Sequence, residues 1–163
     1  MAVSAEERSA QISRYAAGAA RLREAFGAVP AEARQFRPGP DKWSAHEIVV
    51  HCADSEANAA MRLRYLLAEK EPQIVGYDQD NWARVFDYHS QPADAALALL
   101  EAVHANTAAL LRTLPEDAWA REGTHSERGR YTMEDWMRIY ADHVHQHADQ
   151  VDRAHAAWKA AKG

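Results

Sequence analysis

Thr132-Met133-Glu134-Asp135-Trp136-Met137-Arg138-Ile139-Tyr140-Ala141-Asp142-His143-Val144-His145-Gln146-His147 is the stretch whose reading decides the fold. Its first four residues make a cap-like start: the Thr132 hydroxyl can accept from the third helical N–H, and Asp135 can reach back to the cap. From there a helix is predicted to about Ala160. At 100° per residue, Trp136, Tyr140, His143, His147, Val151, Ala154 and Trp158 fall along one stripe, within roughly 80° of arc. Arg138, Asp142, His145 and Asp149 fall on the opposite side and are expected to face water. A stripe of that width needs other helices to cover it.

Working outward, the chain supplies them. Ala, Leu, Glu and Arg dominate, the residues that lose least on entering a helix, and β-branched alternation is scarce. One helix is predicted from about Ala5 to Ala28, stopping at Val29-Pro30, before a Pro-Gly-Pro loop at 38–40. Ser44-Ala45-His46-Glu47 is a capping box that opens a second helix, running to about Glu69 ahead of Pro72. A short helix over Asp78–Tyr88 precedes a third long one, with Pro92 in its first turn and a stop at Leu114-Pro115. The polar stretch from Pro115 to Tyr131, with Gly123 and Gly129, reads as loop with one turn of helix near Glu116–Ala120. The fold class is therefore all-α: a four-helix bundle with a long connection between the second and third main helices. With 163 residues the chain is expected to form one domain, 1–163.

Composition narrows the function. Nineteen Lys+Arg against 24 Asp+Glu give a net charge of -5, so no cationic surplus awaits nucleic acid. The single cysteine, Cys52, excludes an internal disulfide framework and reads as a small core residue rather than a nucleophile. The amino terminus lacks the basic-then-apolar pattern of a secretory signal, and no apolar run approaches a membrane span. A cytoplasmic protein without membrane or nucleic-acid partners is expected. Nine histidines in so short a chain are the outstanding feature.

Two of them, His143 and His147, stack one turn apart on the inward stripe. As plain core residues, each would need partners for both ring nitrogens, at about 1–3 kcal/mol for every buried group left unsatisfied. A shared divalent metal satisfies one nitrogen of each at once, but a pair needs a third ligand from another helix. On the second helix the apolar face is Ile48, Cys52, Ala59, Leu63 and Leu66, with His46 on the far side. His51 borders that face along a strip with Ser55 and Arg62. His104 flanks the apolar face of the third helix and is the reserve ligand; spacing separates the two only narrowly. His89 and His125 fall in loops that could approach a site mouth.

Trp43-Ser44-Ala45-His46-Glu47-Ile48-Val49-Val50-His51-Cys52-Ala53-Asp54-Ser55, followed downstream by Tyr140-Ala141-Asp142-His143-Val144-His145-Gln146-His147, resembles the DinB/YfiT-like family. Tyr77-Asp78-Gln79-Asp80-Asn81-Trp82 and His125-Ser126-Glu127-Arg128-Gly129 also look like the YfiT-type branch, so the similarity covers about 36–151. The resemblance implies a four-helix bundle holding a divalent metal by one histidine of the second helix and two of the last. Those positions here are His51, His143 and His147. Two positions depart from the branch: Gln146 stands where relatives often double the histidine, and Val50 where a histidine also occurs. Neither removes a ligand. The family resembled comprises metal-dependent hydrolases and transferases of low-molecular-weight thiols such as bacillithiol or mycothiol, and it implies a homodimer and a small-molecule substrate.

Three neutral imidazoles leave a cation with an open position, the pattern of catalytic rather than structural sites. Zinc or nickel leads as the expected ion, with iron or manganese following. Asp54 and His125 are the candidate proton carriers, while Glu56 reads as part of a solvated helix face. Arg62, Asp78 and Trp82 are candidates for the substrate pocket. The competing readings are a non-catalytic module that binds a metal or small ligand, and a metal-free interaction protein whose histidines are core polar groups.

Overall fold

The computed structural model describes residues 3–163. Four long helices form the frame: α1 (Ala5–Gly27), α2 (Ala45–Ala68), α4 (Ala93–Arg112) and α5 (Met133–Lys162), with the short α3 (Gln79–Val85) between α2 and α4. Three of the four open on reciprocal capping boxes: Ser4 with Glu7, Ser44 with Glu47, and Thr132 with Asp135. Pro92 stands at the N-cap of α4 rather than within its first turn. In the bundle α1 packs against α4 and α5, and α2 packs against the same two. Helices α1 and α2, consecutive in sequence, thus sit diagonally, and the order is not simple up-down-up-down.

One sequence expectation is corrected. The stretch after Pro115 carries a short 3-10 turn (Glu116–Ala120) and then a hairpin of β2 (Glu122–His125) and β3 (Gly129–Thr132), not open loop. β2 also pairs in parallel with β1 (Gln73–Ile74), Ile74 opposite His125, giving a three-stranded sheet in the order β1-β2-β3. These strands are too short and too polar to show a clear alternation, yet Ile74, His125 and Tyr131 all turn inward. Gly129, at φ 73°, takes the left-handed conformation that follows the three-residue turn.

The apolar core falls into two clusters. One gathers Ile12, Tyr15, Leu63, Leu111 and Trp136; the other gathers Leu22, Ile48, Cys52, Leu100 and Val144. Between them, in sequence and along the helices, lie buried polar groups: Glu56 on α2, and His104 and Thr107 on α4. Trp136 Nε1–H donates to the Ala59 carbonyl at 2.8 Å, clamping α5 to α2 beside this polar layer. Gly18 of α1 meets the layer directly. A Cβ there would stand 3.1 Å from His104 Cε1 and 3.2 Å from Val144 Cβ, while one at Gly27 would meet nothing within 4 Å.

We therefore expect opposite effects from the two glycines. Gly18→Val should cost about 2 kcal/mol or more by overpacking against a ring already stacked on Tyr15. Gly27→Ala should add up to about 0.5–1 kcal/mol by helix propensity. Urea unfolding of the two variants checks the contrast.

Candidate metal centre

The Ser44 box fixes where α2 starts, and with it the phase that directs His51, Ser55 and Arg62 toward one side of the helix. His51 is only 1% exposed. Across from it, α5 presents His143 and His147, with ring centroids 5.7 and 4.8 Å from His51 and 4.6 Å from each other. One ring nitrogen from each of the three lies within 4.8 Å of the others. His143 and His147 occupy the edge of the α5 buried face rather than its centre, which is formed by Ala141, Val144, Ala148 and Val151. The helix sits between two neighbours, α1 and α2, so its packed face is rotated from the aromatic stripe. That rotation also moves His145, expected to face water: its Nε2 lies 2.9 Å from the Arg14 carbonyl on α1, and Asp142 pairs with the Arg14 guanidinium.

The hydrogen bonds around the three rings leave a consistent set of lone pairs. His143 Nδ1–H donates to Glu56 Oε1 at 2.8 Å, and His147 Nδ1–H donates to Gln150 Oε1 at 2.9 Å. In both, the proton is held at Nδ1 and the Nε2 lone pair is left for a ligand. Both ring nitrogens of His51 are buried without a hydrogen-bond partner. An imidazole so placed is costly in isolation and is satisfied by a cation. Burial, then the charges of His147 and His143, push the His51 pKa down to about 2; burial and His143 bring His147 to about 4. Both rings are thus neutral at pH 7, the form that binds metal.

Glu56 is the residue whose reading the structure overturns. Instead of facing solvent it is 0% exposed, between His143 and His104. His104 Nε2 stands 3.2 Å from its Oε2, a close polar contact misaligned for a hydrogen bond. Burial raises the carboxyl pKa, yet the contacts with His104 and His143 outweigh it and hold the net value below the ordinary range. The signal was present in the helix wheel: Glu56 falls among Cys52, Ala59 and Leu63, all inward. His104 is thereby removed from the metal cluster and given to Glu56. Cys52 is fully buried, its thiol pKa raised by burial and by Glu56, as befits a core residue.

A cavity of about 210 Å³ adjoins His143, lined by Ser55, Arg62, Tyr77, His125 and Tyr140 among others. Arg62 is 8% exposed; it donates to Tyr140 Oη at 3.1 Å and to the Val75 carbonyl at 2.5 Å. His125 arrives on β2, its Nδ1 accepting from the Glu127 N–H at 3.1 Å. Burial, then the charges of Arg62 and Arg128, lower its pKa. The remaining sequence candidates lie outside this wall. Asp54 Oδ2 accepts from Tyr88 O–H at 2.8 Å, Asp78 caps α3 through the Asn81 N–H, and Trp82 packs on Tyr77 at 4.2 Å between centroids. His89 bonds Ser44 at the N-cap of α2, and His46 reaches the Gln91 carbonyl.

Comparison with known proteins bears on the family and the fold. The profile described as the DinB superfamily matches residues 14–151. A protein of Oceanobacillus iheyensis is 35% identical over 109 residues, 67% of this chain and 63% of its own length. YfiT of Bacillus subtilis is 32% identical over 110 residues, 67% of this chain and 62% of that one. Both bear the provisional name of metal-dependent hydrolase. In sequence, then, the match spans just under two thirds of either relative. The solved structure of YfiT, described as a probable metal-dependent hydrolase with an unusual four-helix bundle topology, superposes with a TM-score of 0.89 at 26% identity. It covers 97% of this chain and 91% of that one. A mycothiol-dependent maleylpyruvate isomerase shares the fold at a TM-score of 0.70 and 14% identity, over 88% of this chain and 60% of its own.

The depressed imidazoles carry a pH signature. Between about pH 6.5 and the lowered values, the unfolded chain holds protons that the folded, metal-free chain does not, so stability is lost as pH falls through this window. The slope approaches about 1.4 kcal/mol per pH unit for each ring. Urea unfolding of metal-free protein at pH 7, 6 and 5 should show this decline, and His51→Leu should reduce it by about half, leaving the share of His147.

Proposed function

The chain belongs to the DinB superfamily, and on that premise we propose that it is a metal-dependent enzyme whose ion is held by His51, His143 and His147. The observation that carries this reading is the convergence of three ring nitrogens, two with their other nitrogen engaged and one buried without any partner. A divalent ion on three neutral imidazoles, zinc or nickel by ligand type and iron or manganese next, supplies a Lewis acid that ionises water or a low-molecular-weight thiol at neutral pH.

The protein's own groups do the rest. Glu56 keeps the His143 proton on Nδ1 and fixes the ring plane, and Gln150 does the same for His147; both are positioning residues. Half-buried Trp43, 4.6 Å from His51 between ring centroids, packs against that ring. Of the two proton carriers, His125 borders the cavity beside His143, whereas Asp54 is engaged by Tyr88. Substrate enters from the side of Arg62, Tyr140 and His125. Hydrolysis and S-transfer both follow from this arrangement, and the relatives named for metal-dependent hydrolysis support the first. A small-molecule substrate suits a cavity of about 210 Å³. No helix among the described residues is long and apolar enough to cross a membrane. A cytoplasmic homodimer, as in the family resembled, completes the proposal.

Metal analysis of the purified protein should find about one divalent ion per chain, and His51→Ala should abolish it. Glu56→Gln should keep the fold and lower zinc affinity about 10–100-fold, since only the orientation and basicity of His143 change. An unchanged metal content in His51→Ala would remove that residue from the site. A metal retained with no turnover of thiol acceptors, esters or amides would favour a binding module instead.

A further inference from the structure

We propose that the cavity beside His143 is a carboxylate-binding subsite, with Arg62 as its anchor and Tyr140 and His125 as its neutral donors. This deepens the enzymatic reading above, because it names the class of substrate group that would be held next to the metal ligands.

The first observation is an unbalanced charge. Arg62 is 8% exposed and permanently cationic, yet its two hydrogen bonds go to neutral acceptors, the Tyr140 phenol and the Val75 carbonyl. Its Nε is buried with no partner, and it forms no ion pair among the described residues. The one other buried arginine among the described residues has a carboxylate: Arg8, 7% exposed, pairs with Glu116 at 2.8 Å. A buried charge without a counter-charge is among the most costly features a fold can keep, and a ligand anion offsets that cost.

The second observation is the orientation of the donors around it. Arg62 Nη1 donates to Tyr140 Oη, so the phenol hydrogen is free to donate onward. His125 Nδ1 already accepts from the Glu127 N–H, which places the proton of the neutral ring on Nε2. The wall therefore offers donors from α2, α5 and β2. Size and charge select the anion. About 210 Å³ admits a small group, and one buried guanidinium balances a monoanion. Glu127 and Arg128 also line the cavity and offset each other, leaving Arg62 as the net charge, which one carboxylate balances and a dianionic phosphate exceeds.

The test uses a thiol probe pair on cobalt-loaded protein. 3-Mercaptopropionate and its uncharged amide each give a thiolate-to-cobalt absorption band on binding. We expect the carboxylate to bind about ten-fold more tightly, the preference to vanish in Arg62→Met, and the amide's affinity to stay the same. In parallel, sodium propionate is titrated into metal-free His51→Ala protein while the Arg62 Nε–H resonance is followed by NMR, with sodium chloride as control. A saturable shift is expected. This arm keeps Arg62 and needs no metal, so it stands if Arg62→Met fails to fold. A propionate response no greater than that to chloride, or equal affinities of the two thiols, overturns the proposal. A saturable propionate shift with no thiolate band for either probe would sink thiol activation at the metal while leaving the carboxylate subsite in place.

Discussion

A carboxylate in the middle of a helical bundle governs the arrangement. Glu56 has no contact with solvent, and a charge so placed is kept only if cations or strong donors surround it. His143 donates to one oxygen and His104 stands against the other. His104 in turn stacks on Tyr15 at 4.2 Å and needs Gly18 bare on α1. All four long helices thus contribute to one polar layer, and the apolar core divides on either side of it. In the register of α2 against α5 that lets Glu56 meet His143, the rings of His51, His143 and His147 converge.

The main helices and the ligand helix were legible because their signals are local. Ser44-Ala45-His46-Glu47 and Thr132-Met133-Glu134-Asp135 state where α2 and α5 begin, and the spacing of His143 and His147 needs no tertiary knowledge. Ser4-Ala5-Glu6-Glu7 is the same signal and marks α1 equally well. What escaped depended on neighbours. His51 and His104 both border apolar faces, so spacing left them nearly level and the family resemblance alone favoured His51; the packing of α2 against α5 and of Glu56 against α4 shows why they differ. Glu56 itself was legible on the wheel but was read by its charge rather than by its angle. The strands at 122–125 and 129–132 escaped because a four-residue ribbon gets its stability from the bundle end it covers and from β1, whose residues stand 51 positions before their partners.

The candidate site is asymmetric in its supports. The rings of His143 and His147 are each held by an acceptor at Nδ1, whereas His51 has none and is confined by packing against Trp43. The restraints thus differ in kind, hydrogen bonds on α5 and near-complete burial on α2.

The parallel pairing of Ile74 with His125 has a consequence for the cavity wall. It joins two crossover segments into one small shelf beside the cavity, separate from the helices that carry His51, His143 and His147. The hairpin tip, residues 126–128, can change in length or side chain while those helices keep their packing, but His125 at its base ties the shelf to the cavity wall, so a change there is felt at the same wall that His143 borders.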